Sequence, residues 1–360
     1  MDHYISILSP INKCYNAVMN KPRLRVNMIS ETTFTVRGHG VHTAFIEMTK
    51  GVTARPELDV VVNKFRKADV THIQTIGLYS ALHLLSPRGG KKVISVHVIP
   101  DSLIGSIKGA EKVAWLSKAY LKWFYGRADM LLPVSEETQN SLKKEMGLKN
   151  PSQVLFNTVN SVEYITTATD KAVARKKLNI AQDAFVVMGN GQVQPRKRFD
   201  SFIAAAKQLP DVTFIWVGGI PFKRLGADYE HMQQLIQDAP NNVTVTGVIE
   251  LAEVRTYLAA SNAFFLPSDQ ENHPLSLLEA AASSLPLIVR DIPQYDSAFG
   301  DHVLRGDDTS FIMIIKRLIT DKPYYKQAVA GAQTIARRFD TPKAAQQLSQ
   351  LYTDLTKEKN

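Results

Sequence analysis

Cysteine is nearly absent from the 360-residue sequence, which contains only Cys14, so no disulfide can form within the chain. The class of disulfide-rich secreted proteins is therefore excluded, and a reducing cytoplasm is the expected setting. Long apolar runs are missing too, since none approaches the roughly 20 residues that span a bilayer. Residues 1–20 are too polar and interrupted for a signal peptide, and we expect them to form an N-terminal extension.

Metal-ligand spacings and nucleic-acid-binding motifs are also lacking, so neither a metal site nor nucleic-acid recognition is predicted. Negative charge is scarce in one half of the chain. Residues 1–160 contain 21 Lys and Arg against 12 Asp and Glu, whereas residues 161–360 contain 22 of each. The whole net charge of +9 therefore lies in the first half. A basic half favours an anionic partner such as a membrane surface, a nucleic acid or a phosphorylated substrate.

Strands and helices alternate through both halves of the sequence. The strands predicted in the first half are Leu24–Ile29, Val60–Val62, Val70–Ile73, Lys92–His97 and Met130–Val134. Those predicted in the second half are Phe185–Gly189, Thr213–Val217, Val243–Thr246, Ala263–Leu266 and Leu287–Val289. This repeated alternation predicts an α/β protein with two doubly wound, Rossmann-like parallel sheets that face a cleft. Ligands of such sheets bind at the carboxyl ends of the strands.

The chain divides into four predicted parts. The N-terminal extension is followed by one domain over residues 21–160 and a second over residues 161–340, joined by a linker near Leu155–Asp170. Residues 341–360 are the fourth part, in which Pro342–Lys357 is predicted to form an amphipathic helix with Leu348, Leu351 and Leu355 on its apolar face.

Residues 268–291, which read SDQENHPLSLLEAAASSLPLIVRD, are the most informative stretch. Pro274 suits the first turn of a helix, and Leu275–Ala282 forms an apolar helix that the serines after it end. Glu271 then lies in the loop before the helix, and Glu279 lies about two turns inside. A helix N-terminus between two carboxylates can hold a phosphate flanked by hydroxyl groups, as in a nucleotide sugar. The alternative is a solvated loop residue and a surface helix residue, but an unpaired carboxylate within an apolar helix is costly.

A second loop, GNGQVQPRKR at residues 189–198, follows a strand and precedes a helix. Gly191 lets the backbone approach a ligand closely, and the adjacent cations Arg196, Lys197 and Arg198 can neutralise a diphosphate. A solvated basic turn is the alternative. Gly247 and Val248 follow the strand Val243–Thr246 and form a further, weaker candidate turn.

The first half offers two candidate elements. Gly38 and Gly40 stand between the first strand and a helix, although a lone Gly-x-Gly is weak evidence. His97 ends a strand and faces the expected cleft. The alternative reading of His97 is a satisfied core histidine, which this architecture makes less favourable.

Together these segments resemble the retaining GT-B glycosyltransferases of family 4, whose members often read E-x-F-x-x-x-x-x-E-A-x-x-x-G-x-P. The resemblance implies that Glu271 and His97 touch the donor sugar, that Lys197 binds the donor diphosphate, and that Glu279 holds the ribose. It also implies roles beside the donor for Gly38, Gly40, Gly191, Arg196, Gly247, Val248, His273, Pro274, Leu275 and Ser276. The sequence departs from the family at Gln192, where arginine is usual, and at Arg198, where glycine is usual.

Four segments resemble a narrower group, the diacylglycerol glucosyltransferases of Gram-positive bacteria: GHGVHTAF, GQVQPRKRFDSFI, FIWVGG and ENHPLSLLEA. The similarity covers most of residues 24–300, with a departure around Asn272. It implies transfer of glucose from UDP-glucose to diacylglycerol with retention. Because backbone N–H groups near His273–Ser276 and the basic loop can stabilise a leaving diphosphate, we expect no metal or other cofactor.

A helix predicted over residues 108–127 carries lysines and tryptophans on one face: Lys108, Lys112, Trp115, Lys122 and Trp123. Such a face suits an anionic membrane surface, and we expect a cytoplasmic protein associated peripherally with the inner face of the cell membrane. A solvated basic face is the alternative. Three other functions also remain open: transfer to a different acceptor, a nucleotide-sugar epimerase of the same fold, and a non-catalytic UDP-binding subunit.

Overall fold

The computed structural model describes residues 23–34, 40–100, 114–220 and 228–357 and contains two parallel sheets. The first sheet comprises β1 (Leu24–Ile29), β2 (Leu58–Val62), β3 (Val70–Ile73), β4 (Lys91–Val96) and β5 (Met130–Pro133). The strand order is β2-β1-β3-β4-β5, and every pair is parallel. The order reverses between β1 and β3, so the loops after these strands diverge and leave a crevice.

The second sheet comprises β6 (Val186–Asn190), β7 (Thr213–Val217), β8 (Val243–Val245), β9 (Ala263–Leu266), β10 (Leu287–Arg290) and β11 (Leu304–Gly306). Its order is β11-β10-β9-β6-β7-β8, which is that of a dinucleotide-binding sheet. The order reverses between β6 and β9, and the loops that leave these strands carry the candidate site. The prediction of two doubly wound parallel sheets is confirmed.

Helices connect the strands. In the first domain they are α1 (Gly40–Thr53), α2 (Leu78–Leu85), α3 (Ala114–Tyr125) and α4 (Glu136–Lys144). In the second they are α5 (Ala168–Lys177), α6 (Phe199–Gln208), α7 (Tyr229–Gln237), α8 (Leu251–Ala260), α9 (Leu275–Ala282), α10 (Asp296–Phe299), α11 (Ser310–Thr320) and α12 (Lys322–Arg338). The last helix is α13 (Thr341–Lys357). Local chemistry fixes several ends: the Ser135 hydroxyl accepts from the Thr138 N–H and caps α4.

The cores explain why the strands read as continuous apolar runs. Parallel strands covered on both faces bury every side chain, and all four residues of Ala263–Leu266 are fully buried. An aromatic group packs edge-to-face on one side of the second sheet, where Phe202 contacts both Phe214 and Trp216. The two sheets therefore supply rigid edges from which the site loops project.

The chain passes between the two cores over a short distance. Leu155 packs in the first core, whereas Val159 packs in the second and pairs with Asp340 as an isolated bridge. The predicted linker over Leu155–Asp170 is therefore too long, because α5 already begins at Ala168. Helix α13 returns to the first domain, where Leu348, Tyr352 and Leu355 join its core.

Several predictions concern residues outside the described ranges, namely the extension over residues 1–20, Gly38, Lys108 and Lys112. Within the described ranges the helix predicted in the segment 108–127 is α3, which covers Ala114–Tyr125. Tyr120 of α3 is 37% exposed, and its hydroxyl donates to the carbonyl of Ile76 at 2.5 Å. None of the helices in the described part of the chain is both long and apolar enough to cross a bilayer.

Candidate functional site

A buried ion pair lies where the loops after β6 and β9 meet. The Lys197 ammonium contacts the Glu271 carboxylate, and both side chains are buried. Burial lowers the pKa of Lys197 despite its carboxylate partner. Burial alone would raise the pKa of Glu271, but the positive charges of Lys197 and Arg196 outweigh it and hold that pKa below its ordinary value. The two groups therefore remain a charged pair at the switch point of the second sheet.

Arg196 adds a second cation to this pair. Its Nη1 lies 3.8 Å from Glu271 Oε2 and donates to the carbonyl of Gln270 at 3.1 Å. The amide oxygen of Gln194, in the orientation that satisfies both groups, accepts from Arg196 Nε at 3.0 Å. The structure thus brings Arg196, Lys197 and Glu271 together, with two positive charges against one negative charge.

Arg198 does not belong to this group, which corrects the expectation of three adjacent cations for a diphosphate. Its guanidinium forms ion pairs with Asp200 at 3.0 Å, Asp269 at 3.2 Å and Asp308 at 3.1 Å. Its backbone φ is +51°, a left-handed conformation that glycine adopts without strain. This conformation explains why the resembling family has glycine here. Arg198 instead fixes the loop that carries Asp269 near Glu271.

Gly191 lies against the loop after β7. Its N–H donates to the carbonyl of Val217 at 3.0 Å, and its carbonyl accepts from Trp216 Nε1 at 2.9 Å. A Cβ at Gly218 would collide with the carbonyl of Gly191, so this close approach requires glycine. Gly218 also forms a bridge with Gly247, whose φ is +71°.

The turn after β8 therefore joins the same edge of the sheet. The side chain of Val248, next to Gly247, is largely exposed at that edge. The predicted residues Gly191, Gly247 and Val248 consequently line the carboxyl ends of β6, β7 and β8.

Glu279 lies in α9 and is buried, so the surface alternative is wrong for this carboxylate. Burial raises the pKa of Glu279 to about 7, with a further contribution from the nearby negative charge of Glu47. The Tyr164 hydroxyl donates to Glu279 Oε1 at 3.3 Å. Glu47, a buried residue of α1, pairs with Lys50 at 3.2 Å, and it brings a first-domain carboxylate towards α9. Nothing in the local sequence marks Tyr164 or Glu47, because the two join Glu279 only through the fold.

Helix α9 has the predicted bounds, Leu275–Ala282, but Pro274 is its N-cap rather than a residue of its first turn. The first N–H groups of a helix have no intrahelical acceptor, so Leu275 and Ser276 present donors there. Pro274 has no N–H to offer.

His273 is buried in an aromatic cage. Its ring stacks on Phe299 with centroids 5.1 Å apart and contacts Phe156 and Phe339 at 5.0 and 4.7 Å. Burial lowers the pKa of His273 to about 3, so the ring is neutral. Its carbonyl accepts from Asn157 Nδ2 at 2.7 Å. The imidazole therefore packs where the family has phenylalanine, and only the backbone of His273 borders the site.

His97 follows β4 and reaches the second domain. The carbonyl of His97 accepts from Asn272 Nδ2 at 3.2 Å, directly beside Glu271. Its Nε2 lies 3.0 Å from Gln74 Oε1. The structure thus places the predicted residue His97 against Asn272, which directly follows the predicted residue Glu271.

Gln74 connects His97 to the buried residue His72 of the first domain. Gln74 Nε2 lies 3.0 Å from His72 Nε2, and the His72 Nδ1 lies 2.5 Å from the Tyr352 hydroxyl of α13. Burial and the neighbouring His97 lower the pKa of His72 to about 3, so this inner histidine is neutral. Sequence reasoning missed Gln74, although a polar residue directly after a strand is the same signal that identified His97.

Gly40 begins α1, and a Cβ there would meet no atom of the described residues within 4 Å. Farther along α1, Ala44 packs in the core cluster that contains Leu278 of α9, so α1 and α9 form a contact between the domains.

Two family models match the chain, Glycosyltransferase Family 4 over residues 26–162 and Glycosyl transferases group 1 over residues 170–334. An alpha-galactosylglucosyldiacylglycerol synthase from Streptococcus pneumoniae is 33% identical over 77% of this chain and 75% of the relative. A processive diacylglycerol alpha-glucosyltransferase from Acholeplasma laidlawii is 26% identical over 66% of this chain and 71% of the relative.

Two solved structures share the fold. A sucrose-phosphate synthase from Thermosynechococcus elongatus superposes with a TM-score of 0.76 at 16% identity, covering 92% of this chain and 99% of the other. HepE from Anabaena, solved with UDP-glucose, gives a TM-score of 0.74 at 18% identity, covering 92% and 100%. The chain therefore belongs to the family 4 glycosyltransferases and has their GT-B fold.

Proposed function

We propose that this protein transfers glucose from UDP-glucose to diacylglycerol, with retention, at the cytoplasmic face of the cell membrane. The observation that carries the proposal is the buried Lys197–Glu271 pair at the switch point of the second sheet, with His97 opposite it. The names of the Streptococcus and Acholeplasma relatives supply the lipid class. The likeness to HepE shows the fold alone, although a UDP-sugar in that fold agrees with the donor proposed here.

In this proposal the donor diphosphate binds beside Arg196 and Lys197 and at the N-terminus of α9. An incoming diphosphate compensates the excess positive charge there, and the N–H groups of Leu275 and Ser276 donate to its oxygens. Negative charge grows on the diphosphate as the glycosidic bond breaks. Groups already fixed in place stabilise this charge without reorganising, which lowers the barrier. Because these groups supply the positive charge, the proposal needs no metal.

The sugar lies between the two domains. Glu271 accepts from its hydroxyl groups, and His97 accepts from or donates to them, while Glu279 accepts from the ribose hydroxyls. The bond between the anomeric carbon and the diphosphate oxygen breaks, and a new bond forms to the acceptor hydroxyl oxygen. The acceptor proton leaves with the diphosphate on the same face, which retains the anomeric configuration. Closure of the domains excludes water from this step.

The acceptor reaches the cleft from the first domain. Lys118 and Lys122 of α3 are exposed, and Trp115 is exposed at the start of the same helix. Cations and tryptophan on one helix suit an anionic lipid surface. We therefore propose peripheral membrane association through α3.

A second candidate keeps the fold and the site but changes both substrates. The name of the Streptococcus relative describes a galactosylated glucosyldiacylglycerol as the product of that protein. The corresponding activity here would transfer galactose from UDP-galactose to a glucosyldiacylglycerol. The observation that favours this second activity is sequence identity, which is 33% to the Streptococcus relative and 26% to the Acholeplasma relative.

The test measures UDP release by the purified protein with UDP-glucose or UDP-galactose, on anionic vesicles that contain diacylglycerol, glucosyldiacylglycerol or neither. Release with UDP-glucose and diacylglycerol, with an α-linked product by NMR, supports the first proposal. Release only with UDP-galactose and the glycolipid supports the second. If no pair of donor and acceptor supports UDP release, both proposed activities are contradicted and a non-catalytic subunit is favoured. Lys197→Met should abolish release, whereas the matched control Lys207→Met changes an exposed lysine of α6 and should not.

A further inference from the structure

Helix α2 exposes an apolar face that nothing in the described structure covers. Leu78, Leu82 and Leu85 are 79%, 52% and 56% exposed, whereas Ala81 and Leu84 are buried. Residues four and seven positions apart lie on one side of a helix, so the three leucines form one stripe. A single exposed leucine needs no explanation, but a contiguous apolar stripe marks a surface that meets a partner.

The loop before β3 extends this stripe. Phe65 is 58% exposed, and its ring stacks on His83 of α2 at 3.9 Å between centroids. Tyr79 joins the two sides, because its ring contacts Phe65 at 5.5 Å and Phe34 at 5.2 Å. Phe34 is itself 60% exposed. We call the surface formed by Phe34, Phe65, Leu78, Leu82 and Leu85 the α2 face.

Hydrogen bonds fix the backbone directly before Phe65, whose ring is exposed. Asn63 has a φ of +54°, and its Nδ2 donates to the carbonyl of Ser30 at 2.9 Å. The Tyr79 hydroxyl donates to the carbonyl of Asn63 at 2.9 Å. Asn27 Nδ2 donates to the carbonyl of Lys64 at 2.6 Å. These bonds fix the residues that precede Phe65, so the exposure of its ring is built into the fold.

Charge decides which partner suits the α2 face. Phe65 lies between Lys64 on one side and Arg66 and Lys67 on the other, and all three cations are exposed. Arg66 has the carboxylate of Asp59 nearby, at 3.6 Å. An exposed aromatic ring among cations, beside aliphatic side chains that form no hydrogen bonds, fits the interface of an anionic bilayer. Nucleic acid would leave the leucine stripe uncovered.

We propose that the α2 face inserts into the headgroup region of an anionic lipid bilayer, as an anchor distinct from α3. The hydrogen bond from Tyr120 of α3 to Ile76, which precedes α2, ties the two helices together. Two joined anchors would fix the orientation of the first domain on the membrane as well as its attachment. This inference deepens the proposed function, since it rests on a lipid substrate for the same domain.

The first experiment measures partition of the full chain onto vesicles of phosphatidylglycerol and phosphatidylcholine, without donor or acceptor. The variants are Leu78→Ser with Leu82→Ser, and Lys64→Gln with Lys67→Gln. We expect the leucine pair to weaken partition about tenfold or more. Each lost cation should weaken it about fivefold. Met313→Ser, at a site 66% exposed in the second domain, is the matched control and should change nothing.

A second experiment places a reporter in the surface. The additional tryptophan emission of the Phe65→Trp variant should shift to shorter wavelength on vesicles and be quenched by brominated lipids. Unchanged partition of the leucine variant, together with no quenching of the reporter at position 65, would overturn the proposal. So would a dimer, seen by sedimentation, that only the leucine variant dissociates, because the partner would then be a second copy of the chain.

Turnover separates this inference from the proposed function. With a detergent-dispersed acceptor, the leucine variant should keep the wild-type rate, while its rate on vesicles should fall with partition. Thermal unfolding checks that the variant is folded. If vesicle binding depends on the α2 face but no acceptor supports UDP release, the surface assignment stands and the proposed function fails.

Discussion

Replacing Glu279 with glutamine should raise the free energy of unfolding of the ligand-free protein, and the size of this increase should depend on pH. Burial raises the pKa of Glu279 to about 7, whereas an exposed glutamate titrates near 4.3. The native state therefore holds this proton more tightly than the unfolded chain does. The resulting stabilisation is fully present below the unfolded pKa and is lost as pH rises through about 7.

The size of the effect follows from that difference. A shift of between two and three pKa units corresponds to about 3 kcal/mol of ionisation cost at pH 8.5. Glutamine resembles the protonated acid and can still accept from Tyr164, so Glu279→Gln avoids the cost. Against the wild type, the variant should gain little at pH 4.5 and about 3 kcal/mol at pH 8.5. For a domain of this size the gain raises the melting temperature by roughly 6–12 °C.

The assay is thermal unfolding of both proteins without ligand at several pH values between 4.5 and 8.5, with UDP titration by calorimetry. At pH 8.5, where Glu279 is ionised in the wild type, affinity for UDP should fall about tenfold or more in the variant, because a charged hydrogen bond to the ribose is lost. Glu230→Gln, at an exposed position of α7, is the control and should show no such trend. A stability difference that is constant with pH would refute the reasoning, and unchanged UDP affinity would refute the ribose assignment.

Individual contacts lead to four further predictions. Lys197→Met should cost about 3 kcal/mol by denaturant unfolding, since it leaves Glu271 buried without its partner; adding Glu271→Gln should restore stability but not turnover. Gln74→Leu should lower kcat roughly tenfold with UDP affinity unchanged, because His97 loses an orienting hydrogen bond. Ser284→Gly should raise stability by about 1 kcal/mol in thermal unfolding, because Ser284 has a φ of +58°. UDP release should persist in EDTA. If EDTA abolishes it and added metal restores it, the proposal that Arg196, Lys197 and the N-terminus of α9 alone balance the diphosphate charge is contradicted.

Elements with strong local signals could be predicted from the sequence. Phe199–Gln208, Thr213–Val217 and Leu275–Ala282 have the predicted bounds, because breakers flank each apolar pattern. The loops that carry the site could also be predicted from the sequence, since polar residues directly follow apolar strand segments. Parallel strands bring their carboxyl ends to one edge, so Lys197 and Glu271 could be expected as neighbours although 74 positions separate them.

Other features had no local signal. The left-handed conformation of Arg198 removes its guanidinium from the diphosphate group, yet the run Arg196-Lys197-Arg198 gives no indication of it. Tyr164 and Glu279 are 115 positions apart, and no pattern near either residue joins them. The α2 face was missed because its leucines fit a helical period equally well whether they are covered or exposed.

The sequence by itself determined the two sheets, the loops that carry the site and the chemistry those loops offer, because strand periodicity and residue type are local properties. Only the tertiary structure decided which charges pair, which carboxylate keeps its proton and which apolar face remains uncovered. Those outcomes depend on burial and on contacts between residues far apart in the chain. Such contacts form only when the two cores pack.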